Sequence, residues 1–275
     1  MPQAVPFVPP VWASVLRQPP PKRLRLGHFP TPIFPFSPPG LPKGMRMFIK
    51  REDFSGMETS GNKIRKLEFL LAEAQKQKAD CVVTCGGIQS NHCRATAAAA
   101  RMLGLESYLL LRTNKPDEDP GLAGNVLFDR MFDANLIQMS RQEYGRYGSV
   151  AMIKRTCDRL RREGRYPYAI PVGGSNGLGT WGYIEAIDEL NNQLEVYLNN
   201  QAGNHVGGEQ LKPVLLQEYE LPITDIAFAS GSGGTAAGIG LGSYLYAKAS
   251  PNAALNFDTK IPGTSVLIDV YSSLL

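Results

Sequence analysis

Residues 79–112 read ADCVVTCGGIQSNHCRATAAAARMLGLESYLLLR, and this stretch decides the fold class. Positions 79–85 are a short apolar run closed by Gly86 and Gly87, the pattern of a buried strand. Residues 90–103 are rich in alanine and open on Ser90, a residue type that caps helix starts. Residues 107–112 return to strand. A strand, a helix and a second strand in so short a span imply a parallel pair. The alternation continues on both sides. Ile64, Leu67, Leu71 and Ala74 recur at helical spacing, so a helix is expected to begin near Lys63. Further helices are expected over 121–132, 150–163, 180–194 and 235–247, and strands over 135–139, 168–172 and 224–230. The chain reads as α/β with a mostly parallel sheet.

Composition bounds the rest. The 275 residues are 43% hydrophobic and 20% charged, enough for one large or two medium domains. The longest apolar runs, such as 109–111, fall far short of a membrane span. The net charge of +4 is spread thinly with no long Lys/Arg tract, which argues against nucleic acid as a partner. The four cysteines form no C-x-x-C pair and the three histidines are scattered, so no metal site is expected and the thiols are read as reduced core residues. The first 51 residues hold no Asp or Glu and 13 of the 21 prolines. An acid-poor basic leader has the character of a transit peptide. Scarce serine and the helix-breaking prolines favour an extended arm instead. The polar run 199–208 (NNQAGNHVGG) is read as a surface loop.

In open α/β sheets ligands sit beyond the carboxyl ends of the strands, which directs attention to loops 59–63, 86–92, 173–179 and 230–235. Residues 230–237 (SGSGGTAA) follow a strand and open a small-residue helix, a cradle of backbone N–H groups and hydroxyls suited to phosphate. Gly231, Gly233 and Ala236 also fit a dinucleotide fingerprint with Asp258 downstream, although the segment before Asp258 makes a poor strand. A plain glycine turn is the simpler alternative. Lys63 stands in the first turn of its helix, where the positive helix end and the neighbouring Arg65 and Lys66 favour the free amine that Schiff-base chemistry requires. A solvated surface lysine is the alternative there. Ser90 is either a helix cap or a ligand contact, and His92 either a base, a donor or neither. The five glycines from Gly173 to Gly182 suggest backbone close to a small ligand, or a hinge.

Four runs occur in order: SGNKIRKLEFLLAEA, TCGGIQSNHCRATAAAARMLGL, IPVGGSNGLGTWGYIEAI and ASGSGGTAAG. Together, over about residues 28–245, they resemble the D-cysteine desulfhydrase and 1-aminocyclopropane-1-carboxylate (ACC) deaminase family of pyridoxal-phosphate enzymes, which have the two-domain tryptophan synthase β-like fold. The resemblance implies an arm over 1–27, a large cofactor-binding domain from 28–64 and 176–275, and a small α/β domain over 65–175. It implies that Lys63 carries the cofactor and that Ser90 contacts the substrate, both catalytic. Asn91 then lies beside the cofactor ring, and Ser232, Gly233, Gly234 and Thr235 grip its phosphate. The run from Gln89 to Arg94 looks more like the desulfhydrase branch, because the bacterial ACC deaminases carry glutamine where this chain has His92. The implied reaction is α,β-elimination of D-cysteine to pyruvate, ammonia and hydrogen sulfide. ACC deamination to 2-oxobutanoate, or a weakly active pyridoxal-phosphate-binding regulatory form, are the alternatives. The expected partners are a small amino-acid substrate and a second copy of the chain, with no nucleic acid and no membrane. The expected compartment is the cytoplasm, with the mitochondrion as alternative on account of the basic N-terminus. The family extends beyond position 275. After Ala247 the likeness fades, one more strand is expected over 265–270, and the family's partner for the pyridine nitrogen and its substrate-side tyrosine are expected to be missing.

Overall fold

The computed structural model describes residues 1–201, 223–250 and 265–269. Asp258 and residues 202–208 of the polar run lie outside them. In chain order the elements are strands β1 (Val5–Pro6), β2 (Lys22–Arg23), β3 (Ile33–Pro35) and β4 (Arg46–Lys50), then α1 (Lys63–Lys76), β5 (Cys81–Gly87), α2 (Asn91–Met102) and β6 (Glu106–Thr113). They continue with α3 (Asn125–Met131), β7 (Asn135–Ser140), α4 (Arg141–Arg162), β8 (Pro167–Ala169), α5 (Gly177–Gln201), β9 (Asp225–Ala227), α6 (Gly234–Ala249) and β10 (Ser265–Asp269).

Two four-stranded sheets organise the chain. The first, in the order β7-β6-β5-β8, is parallel throughout, and β5 pairs with β6 along its whole length. The second has the order β3-β4-β10-β9, with β3 antiparallel to β4 and β10 inserted in parallel between β4 and β9. The strand expected over 265–270 is therefore an inner strand, flanked on both sides.

Helix α2 explains its own alanine content. Cys93 and Ala97 meet Leu109 and Leu111 of β6, while Ala95 and Ala99 meet Leu67, Leu70 and Leu71 of α1. A helix covered on opposite sides needs small residues all round, where a surface helix would carry a polar stripe. The arm lies across α1. The N–H of Leu24 donates to the carbonyl of Glu68 at 2.9 Å, and those of Leu26 and Gly27 to its carboxylate at 2.7 and 2.9 Å. The Phe7 ring stands edge-on to Phe69 and Trp181. All four cysteines are buried and unbridged. No helix among the described residues is long and apolar enough to cross a membrane.

Several boundaries differ from the sequence reading, each for a local reason. The helix expected over 121–132 is only α3, because Gly121 and Gly124 take left-handed φ values of 74° and 57°. The helix expected from 150 starts nine residues earlier at Arg141. Ser140 and Glu143 form a reciprocal capping box, and Gly148 (φ 73°, ψ 160°) interrupts the helix beyond it. Helix α5 runs on to Gln201, so residues 199–201 finish a helix instead of beginning a loop. Strands β8 and β9 are shorter than expected, three residues each.

Candidate active site

The starts of α1 and α6 meet. Asn62, immediately before α1, donates from Nδ2 to Thr235 Oγ1 at 3.1 Å, in the first turn of α6. Both residues are buried, and Lys63 is half-buried beside them. This one bond brings the lysine picked out from the sequence against the glycine loop picked out for phosphate, although 173 positions separate its two ends. Gly233 takes the left-handed conformation (φ 84°), and the space where a side chain would stand at Gly231 or Gly233 is open. A helix N-terminus behind such a loop attracts anions.

The floor of this loop comes from Ser175 and Lys66, to which the sequence alone assigns no contact with it. Ser175 shares a hydrogen bond with the Ser232 hydroxyl at 2.7 Å and accepts from the Gly234 N–H at 3.2 Å. Lys66 is 1% exposed and donates from Nζ to the Gly173 carbonyl at 3.2 Å. A Cβ built on Gly234 would stand 3.0 Å from that Nζ. The spacing held the signal for Lys66: three residues after Lys63, it lies on the same helical face. The glycines after position 170 divide into two roles. Gly173 (φ 66°) brings backbone up to the Ser232 hydroxyl, whereas a Cβ on Gly182 would come within 2.4 Å of the Arg65 carbonyl, so that glycine allows α5 and α1 to pack closely.

Ser90 caps α2, its hydroxyl oxygen accepting from the Cys93 N–H at 3.2 Å. The capping reading holds, and the hydroxyl proton is not spent on it. Asn91 is buried, its Oδ1 accepts from Arg94, and its Nδ2 has no partner among the described residues. His92 is buried as well. Thr84 spends its one hydroxyl proton on the Ile170 carbonyl at 2.9 Å, so toward His92 Nε2, also 2.9 Å away, it can only accept. His92 therefore carries its proton on Nε2, and Nδ1 is a buried acceptor without a partner among the described residues. Burial, then the charges of Lys63 and Lys66, push its pKa down to about 3. A ring this resistant to protonation is a poor general base near neutral pH, which removes one of the roles considered for it.

A charged cluster fixes α1 from behind. Arg65 donates to Glu52 at 2.6 and 2.7 Å and to Glu189 at 2.9 and 3.0 Å, and its guanidinium lies 4.1 Å from the centre of the Phe29 ring. Lys50 donates to Glu189 at 2.6 Å. Two cations and two carboxylates balance, as buried charges must. Burial raises the Glu189 carboxyl, but Arg65 and Lys50 outweigh it and hold the pKa down at about 2.

Pyridoxal phosphate needs an amine for its aldehyde, a phosphate cradle and donors or acceptors for its ring substituents. The residues fit it. The open glycine loop lies against the Lys63 helix start, and Asn62 Oδ1, Asn91 Nδ2 and His92 Nδ1 are three buried polar atoms with no hydrogen-bond partner among the described residues. Residues 24–255 match the model of the pyridoxal-phosphate dependent enzymes. The chain belongs to that family. Its members use this cofactor, which decides against the dinucleotide reading of the 230–237 loop. Within the family the chain is 52% identical, over 87% of its length, to the bifunctional D-cysteine desulfhydrase/1-aminocyclopropane-1-carboxylate deaminase, mitochondrial, of Arabidopsis thaliana. It is 38% identical over 70% of its length to the D-cysteine desulfhydrase of Klebsiella pneumoniae. The chain spans 55% and 61% of those two proteins. The crystal structure of an ACC deaminase homologue superposes with a TM-score of 0.63 at 28% identity, covering 95% of this chain and 77% of the other. The likeness seen in the four sequence runs, the α/β tryptophan synthase β-like fold and the cofactor are thereby borne out.

Proposed function

We propose that this chain forms the cofactor site of a D-cysteine desulfhydrase, in which D-cysteine and water give pyruvate, ammonia and hydrogen sulfide. The observation that carries the reading is the Asn62–Thr235 hydrogen bond, which sets Lys63 against the glycine loop. Lys63 Nζ is the amine that would hold the cofactor's aldehyde carbon. Gly231, Ser232, Gly233, Gly234 and Thr235 would hold its phosphate, with Lys66 adding a buried positive charge behind Gly234. Asn91 Nδ2 would donate to the ring's hydroxyl oxygen. The cofactor, when bound, supplies an electron sink that acidifies the substrate Cα–H.

The chain's own residues do the rest. Lys63 Nζ, in its unprotonated form, takes the Cα proton. The Ser90 hydroxyl, its oxygen committed to the α2 cap, donates to the substrate carboxylate. His92 stays neutral and orients the site as an acceptor at Nδ1, so it does not compete with Lys63 for the proton. A second reading, ACC deamination to 2-oxobutanoate, is favoured by the double name of the Arabidopsis relative and by the name of the structural neighbour.

We hold the active form to be a homodimer of the cytoplasm. A mitochondrial location is the alternative, supported by the acid-free first 51 residues and by the location in the name of the Arabidopsis relative. The test is to purify residues 1–275 with pyridoxal phosphate and supply D-cysteine and ACC separately. Sulfide from D-cysteine with little 2-oxobutanoate from ACC supports the proposal. The reverse ratio selects the deaminase, and cofactor uptake with neither product contradicts both.

A further inference from the structure

We propose that Arg94 is a positioning residue that ties Asn91 and the loop ahead of Lys63 into one unit. It fixes the Asn91 amide so that Nδ2 is free to donate to the cofactor. This rests on the pyridoxal-phosphate reading of the site. The Arg94 side chain reaches three places at once. Nη1 donates to the Glu58 carbonyl at 2.5 Å, Nη2 to the Ser60 carbonyl at 2.7 Å, and Nε to Asn91 Oδ1 at 3.1 Å, with a further short contact from Nη2 to the same oxygen. A guanidinium has donors only, so the Asn91 atom that meets it must be the oxygen. The amide nitrogen is then the unpartnered one, in a residue 8% exposed.

Without Arg94 the amide could turn over and offer its acceptor, repelling the cofactor's ring oxygen. The two loop carbonyls would lose their donors at the same time. The loop would keep the bonds from the Gly61 N–H to the Glu52 carbonyl at 3.0 Å, from the Ser55 hydroxyl to the Gly61 carbonyl at 3.1 Å and from Asn62 to Thr235 at 3.1 Å, but nothing from the α2 side at Glu58 and Ser60. Arg94 itself is buried, with Asp129 as the nearby countercharge. An ammonium is a point donor on a flexible stem and cannot span two carbonyls and an amide together, so lysine is not an equivalent replacement.

The test uses the 275-residue chain with Asn91→Ala, Arg94→Lys and the double variant. Arg94→Lys keeps the charge beside Asp129 and so keeps the fold. Arg94→Met serves as the stronger companion variant. The readouts are the dissociation constant for pyridoxal phosphate, from titration of the bound cofactor's absorbance, and amide exchange at Gly61 in the cofactor-free protein. Each single variant should weaken the cofactor about tenfold, the usual worth of one hydrogen bond to a ligand. The double variant should lose less than the two single losses combined, because the Asn91 donation is lost in both. Gly61 should exchange about tenfold faster in the Arg94 variants and at the wild-type rate in Asn91→Ala. Additive losses in the double variant, or unchanged Gly61 exchange, overturn the proposal. If the wild-type chain takes up no cofactor, the functional reading fails, and Gly61 exchange still decides whether Arg94 ties down the loop.

Discussion

Replacing Arg65 with methionine should unfasten the helix that carries Lys63. The substitution keeps a long apolar stem under Phe29 but leaves Glu189 with Lys50 as its remaining cation, and Glu52 with the Thr31 hydroxyl at 2.7 Å. Removing one partner of a buried ion pair costs about 3–5 kcal/mol. Burial raises the Glu189 pKa, but Arg65 and Lys50 outweigh it and hold it down at about 2, against the ordinary 4.5, so the ion pairs add stability while Glu189 is charged. The shift is downward, so this stability is present in full above about pH 4.5 and is lost as pH falls toward 2. The assay is urea unfolding of wild type and Arg65→Met at pH 7 and at pH 3. At pH 7 the variant should lose about 3–5 kcal/mol, and the gap should narrow at pH 3, where wild type is itself giving up the Glu189 contribution. A loss under about 1 kcal/mol at pH 7, or a gap that does not narrow in acid, would refute the argument that this cluster holds α1 in place.

Other perturbations separate the parts of the site. Thr235→Ala removes both a cradle hydroxyl and the acceptor of Asn62, and should weaken pyridoxal phosphate by about 1–3 kcal/mol in an absorbance titration. Gly233→Leu, at φ 84°, should weaken it more, and equal affinity in wild type and Gly233→Leu would remove this loop as the cradle. Asp129 is buried, and neither of its oxygens is bonded among the described residues. Burial, partly offset by Arg94, raises its pKa to about 7 from 3.8. Because the shift is upward, the folded chain should lose up to about 4 kcal/mol as pH rises from 4 through 7. Asp129→Asn should lack that slope in unfolding measurements across this range, and identical slopes in the two proteins would count against a buried ionising carboxyl.

Much of the fold was legible because hydrophobic period and glycine punctuation are local signals. The run 79–112 gave strand, helix and strand to within two residues of β5, α2 and β6. The short β4 (RMFIK) was harder to see, because its neighbour β10 lies more than 200 positions away and its register with Ser265–Asp269 has no local trace. The start of α4 was written in the Ser140–Glu143 spacing, which apolar periodicity alone passes over. In the site, Lys63 and the glycine loop stood out because their residue types are odd for their places. Lys66, Arg94 and Asp129 did not, since a charged residue on a helix ordinarily faces water. Only the packing of α1, α2 and α3 shows that these three are buried. Asn62 and Ser175 read as turn residues until the α6 start comes up against them.

We expect Lys63, and not the more deeply buried Lys66 three residues on, to be the amine that takes the cofactor. Incubating the 275-residue chain with pyridoxal phosphate, reducing with borohydride and mapping the peptides by mass spectrometry tests it directly. The expected result is one pyridoxyl group, on Lys63, lost in Lys63→Ala. A pyridoxyl group on Lys66, or undiminished labelling in Lys63→Ala, would contradict it.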